Sequence, residues 1–176
     1  MTNFRDRILR AAKLDVNLYE EVEADKGALG QAMMVVVLSS VAAGVAIIKE
    51  GGPSGILIGT IMALIGWYVW AYLTYLIGTK LLPEPQTKAD LGELLRTIGF
   101  SSSPGLIRVL GIIPDLRVIV FPAASIWMFV AMVIAVRQAL DYRGTLRAVA
   151  VCVIGWAVQV LIILLLFYIL GGFPKA

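Results

Sequence analysis

The chain has 176 residues, of which 60% are hydrophobic and only 15% are charged. Soluble domains carry about 25% charged residues, so this composition excludes an ordinary soluble fold and, with a mean hydropathy of +0.89, predicts a polytopic membrane protein. The net charge of +3 is small and the basic residues are spread along the chain, which argues against a nucleic-acid surface.

The residue types that most enzymes depend on are scarce. Histidine is absent, which removes histidine general bases, Ser-His-Asp triads and histidine metal ligands. Cys152 is the single cysteine, so no intrachain disulfide can form. The acidic cluster at residues 20–25 is interpreted as a solvated helix face, and Gly99–Ser103 lacks the final glycine of a nucleophile elbow. We therefore expect neither enzyme activity nor a bound cofactor or metal.

Residues 1–27 are predicted to form a cytoplasmic segment with two short helices. Phe4 and Ile8 share one stripe while the basic residues lie largely elsewhere, which is typical of an amphipathic helix resting on anionic lipid; a solvated tail is the alternative. Asn17 and Glu20 have capping-box spacing and predict the start of an acidic helix. Because its charges are of mixed sign, the segment resembles neither a signal peptide nor a transit peptide.

Four stretches are apolar and long enough to cross a bilayer, for which about 20 residues are needed. Asp25 is the predicted N-cap of the first, and Lys49–Pro53 is the predicted turn after it. The stretches are residues 28–48, 56–82, 118–136 and 148–170. They define a transmembrane domain at residues 28–170, followed by a short tail at 171–176.

Small residues recur every fourth position near the start of the second stretch, at Gly51, Gly55, Gly59 and Ala63. Such a ridge lets another helix backbone approach closely. We interpret it as packing within one chain, with a seam between two copies as the alternative.

The stretch at residues 91–113 is the most unusual, because it is apolar yet interrupted at Ser101–Pro104. Leu91, Leu94, Leu95 and Ile98 have helical spacing, which predicts an amphipathic helix with Arg96 turned outward. Irregular backbone in lipid must find internal partners, so the break should lie inside a bundle.

Two roles are open for the polar residues around this break. Ser101, Ser102 and Ser103 are expected to hydrogen-bond backbone carbonyls near Pro104, or else to line a polar cavity. Arg96 and Arg108 flank the break and are candidate contacts for lipid phosphate in opposite leaflets; simple snorkelling is the alternative. Together with the three serines, they are the candidate contacts of this chain for lipid or for a partner.

Charge counting does not separate four crossings from five, because both models leave the same number of Lys and Arg residues inside. We favour five, since Arg137, Arg143 and Arg147 form a dense positive loop that would be costly to translocate. The predicted fold is an all-α bundle of five transmembrane helices, the third broken at Ser101–Pro104, with an N-terminal amphipathic helix.

Several segments, taken in order, resemble the bacterial branch of the Yip domain family, the Ypt/Rab-interacting membrane proteins. They are Leu18–Asp25, the long second apolar stretch, Leu94–Phe100 leading to Pro104, and Val136–Leu140 before the last apolar stretch. The resemblance implies five membrane helices, a cytoplasmic N-terminus and a C-terminus on the other side. Eukaryotic members are associated with Rab-type GTPases, but their Asp-Leu-Tyr-Gly-Pro motif has no counterpart here beyond Leu18-Tyr19, so Rab binding is not carried over.

These observations favour a non-enzymatic scaffold or adaptor in the cell membrane, whose partners are lipids and a membrane protein; self-association is left open. The alternative is a transporter or channel with a polar cavity at the break. Against that alternative, no acidic residue lies in the middle of a predicted crossing, and ion-coupled carriers usually need an ionisable group there.

Overall fold

A computed structural model describes residues 3–169, and these residues form seven α-helices and no strand. The all-helical prediction is confirmed. The predicted tail at residues 171–176 lies outside the described residues. The helices are α1 (Phe4–Ala12), α2 (Val16–Ala24), α3 (Leu29–Ala46), α4 (Ile48–Leu76), α5 (Leu91–Phe100), α6 (Pro114–Ala139) and α7 (Thr145–Ile169).

Within the described residues, four helical stretches are long and apolar enough to cross a membrane. They are Lys26–Ala46, Ile48–Leu81, Pro114–Ala139 and Thr145–Ile162. The first joins a short 3-10 turn to α3, and the second joins α4 to a π-helical turn at Ile77–Leu81. All four overlap the apolar stretches expected from the sequence.

Local capping residues explain where the N-terminal helices begin. The carboxylate of Asp15, rather than the amide of Asn17, caps α2 by accepting the backbone N–H of Asn17, which corrects the predicted capping box. Leu14 adopts a φ of 63° in the turn between α1 and α2. Asp25 caps the helical turn that leads into α3, as predicted, by accepting the backbone N–H of Gly27.

The second crossing helix begins earlier than the sequence suggests. Residues at the predicted turn are already helical, and the chain bends once, at Gly52. Its φ of 60° lies in the left-handed region that glycine adopts readily, and Pro53 then starts the straight part of α4. The predicted five-residue turn is therefore replaced by a helix kink at a single residue, Gly52.

Helix α5 and the 3-10 helix Ser103–Ile112 that follows it form the central segment of the bundle. Asp90 and Glu93 form a capping box at its start. Pro104 lies in the first turn of the 3-10 helix, where its missing N–H costs nothing. Ten residues is long for a 3-10 helix, which is rarely stable without support from its surroundings.

Neighbouring helices supply this support along the whole segment. Its glycines successively meet Ala32, Ser39 and Ala46 of α3, so the segment runs parallel to α3. Gly105 meets Met128 and Gly111 meets Phe121, so the segment runs antiparallel to α6. A Cβ at Gly99 would lie 2.7 Å from the Ala32 Cβ, so only glycine permits this approach.

Polar contacts divide the bundle into two ends. The capped end carries α1, α2 and the loops at residues 83–90 and 140–144; here the Gln86 amide donates to the Asp141 carbonyl at 2.9 Å. At the opposite end, Arg117 bonds Glu50 at 2.6 Å and the Ala46 carbonyl at 2.8 Å.

Two apolar clusters hold these elements together. One, around Leu94, Leu140 and Cys152, joins α4, α5, α6 and α7. The other, around Leu18, Tyr19 and Phe100, fixes α1 and α2 against α3, α5 and α6. The central segment contributes to both clusters, which makes it the core of the fold.

Candidate functional site

The three serines at the break separate into two kinds. Ser101 and Ser103 are buried, and their hydroxyls donate to the carbonyls of Ile98 and Phe100, each at 2.7 Å. These bonds satisfy both hydroxyls and confirm the expectation that serines support the backbone here. Ser102 instead lies on the wall of a cavity.

This central cavity has a volume of about 290 Å³ and lies between α3, α4, the central segment, α6 and α7. Its polar wall comes from residues far apart in the sequence, and two indole rings lie beside them. These residues are Ser39, Ser40, Ser102, Arg108, Gln159, Trp67 and Trp70. Helix breaks that line cavities are where membrane proteins commonly place binding sites.

A second lobe of about 620 Å³ shares Trp70, Arg108 and Gln159 with the central cavity. It lies towards the outside of the bundle, where α6 and α7 face each other. Its other walls are mainly apolar, and Phe129 and Trp156 are exposed on the bundle surface. The two lobes together form a polar interior with an apolar side.

Arg108 is the charged residue that the lobes have in common. One of its terminal nitrogens donates to the Ser125 hydroxyl at 3.0 Å, and the guanidinium lies 5.7 Å from the centre of the Phe121 ring. Its Nε is buried and has no hydrogen-bond partner among the described residues. Ser125 is close to the middle of α6 and is exposed, so this positive charge lies midway along the helix and not near either of its ends.

The small-residue ridge borders a further cavity of about 270 Å³, which Gly55, Gly59 and Ala63 line together with Arg108. Leaving aside the chain neighbours and the backbone of the same helix, no heavy atom of the described residues lies within 4 Å of a Cβ built at Gly51, Gly55 or Gly59. The close approach between α3 and α4 occurs instead at Gly44 against Ile56. Tight packing of these three glycines within one chain is therefore not what the described residues provide.

The expectation that Arg96 points outward to lipid is wrong. Its side chain is buried, with an exposure of 5%. The Nε donates to the Val22 carbonyl at 2.9 Å and a terminal nitrogen donates to the Glu23 carbonyl. A guanidinium at a helix C-terminus satisfies free carbonyls and complements the helix dipole. Arg96 therefore anchors α2 on α5.

A compact ion cluster fixes α1 to α2 and to the turn that leads into α3. Arg7 is buried and pairs with Glu21 at 2.9 Å and Asp25 at 2.8 Å, while Arg10 pairs with Asp15 at 2.7 Å. The Arg7 guanidinium holds the pKa of Asp25 below its usual range, and Arg10 does the same for Asp15. This stabilisation is present at neutral pH and is lost as the pH falls through the lowered pKa values.

A polar groove of about 500 Å³ opens at the capped end, between α2 and the loops at residues 83–90 and 140–144. Side chains of both charges line it: Glu20, Gln86, Arg137, Gln138, Asp141, Tyr142 and Arg143. The Gln138 amide donates to the Glu20 carboxylate across the groove. Burial raises the pKa of Tyr142 to about 12, and its single hydroxyl proton is donated to the Leu82 carbonyl at 2.7 Å, with the Gly78 carbonyl 3.1 Å away.

Sequence reasoning identified Arg108 and Ser102 but not the residues that join them. The other residues come from four other helices, and most of them are unremarkable in their own segments: Ser39, Trp70, Ser125 and Gln159. The one available signal was Gln159, a polar residue in an otherwise apolar stretch. Within residues 3–169, no group of three or more His, Cys, Asp or Glu side chains is arranged to hold a metal ion.

The apolar helices, the buried central segment and the polar capped end define a multi-pass helical membrane protein. The Yip1 domain model matches residues 18–169, so the chain belongs to the Yip1 domain family. Comparison with curated proteins gives no match, and comparison with solved structures gives none either.

Proposed function

We propose that the chain crosses the membrane five times, with the central segment as the third crossing. Ten α-helical residues at about 1.5 Å each and ten 3-10 residues at about 2.0 Å each span roughly 35 Å, compared with a hydrocarbon core of about 30 Å. Support comes from its glycines, which follow α3 from Ala32 to Ala46. Enclosure by neighbouring helices lets irregular backbone lie at membrane depth.

The capped end is then the cytoplasmic one. Arg137, Arg143 and Arg147 lie there, together with the exposed Arg5 and Lys13. Lys and Arg in short loops favour the cytoplasmic side. The division into a cytoplasmic segment at residues 1–27 and a transmembrane domain at residues 28–170 follows, and the C-terminus faces the opposite side of the cell membrane.

In this arrangement the protein acts as a non-enzymatic scaffold or adaptor that presents its capped end to a partner protein. The observation that carries this proposal is the ion cluster of Arg7 and Arg10, which fixes α1 to α2, the helix whose Glu20 lines the polar groove. A rigid, charged surface needs little ordering when a partner binds, and charges of both signs favour a protein surface of complementary pattern.

Site-specific photo-crosslinking in native membranes tests the adaptor role. A photo-reactive residue at Arg143, exposed in the groove, is compared with one at Asp115, exposed at the opposite end. We expect a discrete protein adduct from position 143 only, and its loss in the double variant Arg7→Gln/Arg10→Gln, which releases α1. Equal adducts from both ends, or an adduct indifferent to the double variant, would contradict the proposal.

A transporter is the second candidate, because Ser102, Arg108 and Gln159 meet in one cavity at the break of the central segment. A liposome flux assay distinguishes it from a scaffold. If the cavity conducts a solute, Ser102→Leu abolishes flux while Ser54→Leu, at an exposed position on α4, leaves it unchanged. Wild-type liposomes without flux above empty ones count against transport.

A further inference from the structure

We propose that the two lobes beside Arg108 form a binding site for an anionic amphiphile from the membrane. The phosphate or carboxylate of the amphiphile binds Arg108, and its hydrocarbon chain lies in the apolar lobe between α6 and α7. This site is separate from the capped end, so the proposal does not depend on the adaptor role.

Arg108 has hydrogen-bonding capacity that the described residues leave unused. A guanidinium has five N–H donors and no acceptor. Here it has the Ser125 hydroxyl and the face of Phe121, and its buried Nε is unpaired. No carboxylate among the described residues forms an ion pair with it. A charged side chain deep in a membrane bundle normally has a partner or faces a cavity, and Arg108 faces both lobes.

The polar residues of the site favour a ligand with negative charge. Planar guanidinium groups bind phosphates and carboxylates through paired, charge-assisted hydrogen bonds. The Gln159 amide and the Ser102 hydroxyl line the same polar lobe and can donate to further oxygens. A cation would have no acidic ligand in this set of residues, so the site is suited to an anion.

The size and the apolar lining of the outer lobe suit a hydrocarbon chain. Its volume of about 620 Å³ is within the range of pockets that hold small organic ligands, roughly 300–1,000 Å³. Trp70, Met128, Met132 and Phe129 make its walls largely apolar. Trp156, which is 63% exposed, borders the lobe on the lipid-facing surface of α7. A free inorganic ion would leave this apolar lobe unfilled, whereas a hydrocarbon chain fills it.

Native mass spectrometry of the purified full chain tests the proposal. Wild-type protein in detergent is exposed to phosphatidic acid, phosphatidylcholine, oleate or inorganic phosphate, each in a separate experiment. We expect one phosphatidic acid or oleate per chain, and about tenfold or greater loss of retention in Arg108→Gln. Arg117→Gln is the matched control, because Arg117 pairs with Glu50 at the opposite end and lines neither lobe.

The arms distinguish the source of the anion. Preference for phosphatidic acid identifies a phospholipid head group, and preference for oleate identifies a fatty acid; both support the site. Equal retention of phosphatidylcholine, retention of inorganic phosphate alone, or a second copy of the chain in place of lipid would overturn it. Because wild-type selectivity is itself measured, the outcome does not depend on how well Arg108→Gln folds.

Discussion

Two groups of Glu23 affect the stability of the folded protein in opposite directions. Its backbone carbonyl accepts from Arg96, while its carboxylate is partly buried with one oxygen lacking a partner among the described residues. Burial, together with the nearby charges of Glu20, Glu93 and Asp141, raises the pKa of Glu23 to about 8. The side chain therefore stays protonated in the folded protein at pH values where it ionises in the unfolded chain.

This raised pKa predicts that stability falls as the pH rises from about 5 to about 8. In that interval the unfolded state has lost a proton that the folded state retains; above it, both states are ionised and the slope ends. Glu23→Gln should flatten the slope and raise the midpoint of thermal unfolding in detergent at pH 8. Asp115→Asn, at an exposed position, is the control, and an identical slope in wild type and Glu23→Gln would refute the prediction.

At Gly99, a single close contact predicts the effect of a substitution. An added Cβ would lie 2.7 Å from the Ala32 Cβ and 3.1 Å from its carbonyl carbon and oxygen, and backbone atoms cannot rotate away. We expect Gly99→Ala to lower the free energy of unfolding by about 1–3 kcal/mol through overpacking. Gly30→Ala, with no atom within 4 Å of the new Cβ, should be neutral or slightly stabilising. Equal effects of the two changes, measured by denaturant unfolding, would disprove this explanation.

At the scale of elements, the main finding is that α5 is an interior helix. Its apolar spacing correctly predicts a helix in this stretch, but all residues from Leu94 to Phe100 are buried. The spacing also placed Arg96 outside. That prediction was wrong because α2 covers this face of α5 and turns its C-terminal carbonyls towards the guanidinium, a contact between residues over 70 positions apart.

Arg96 therefore links two elements, and its removal should loosen α2 more than the bundle. Arg96→Gln removes a charge-assisted contact worth about 1.5–3 kcal/mol and leaves helix-terminal carbonyls without a donor. Arg96→Lys should restore little, because an ammonium cannot replace the forked guanidinium. Hydrogen exchange of α2 amides measures the effect, with the exposed Arg5→Gln as control. Wild-type protection of α2 in Arg96→Gln would contradict the link.

For the whole molecule, the direction of the central segment supports the five crossings that we propose. It lies beside α3 in parallel and beside α6 in the antiparallel sense, and Arg117 meets Glu50 at one end while Gln86 meets Asp141 at the other. A re-entrant segment would return both of its ends to one face. Five crossings instead place residues 88 and 115 on opposite faces.

Cysteine labelling of intact cells tests this topology. Single cysteines replace Lys49, Lys88, Asp115 or Arg143, all exposed, in a Cys152→Ala background. With five crossings, a membrane-impermeant reagent labels positions 49 and 115 from outside and spares positions 88 and 143. Labelling of position 143 together with position 49, while 115 is spared, would establish four crossings instead.

The sequence alone determined the class of protein and the positions of its long helices. Hydropathy, Asp25 as a cap and Pro104 as a helix break act through residues that are close in the chain, so their effects can be predicted locally. The family resemblance was likewise visible, and the match over residues 18–169 confirms it.

Only the tertiary structure decided which polar residues meet. Arg108 and Ser102 were candidates from the sequence, but Gln159, Trp70 and Ser125 join them from other helices, and Arg96 is removed from the surface by α2. Burial and the choice of hydrogen-bond partner depend on the packing of segments distant in sequence. In an apolar chain, where nearly every helix face is hydrophobic, residue spacing carries little information about that packing.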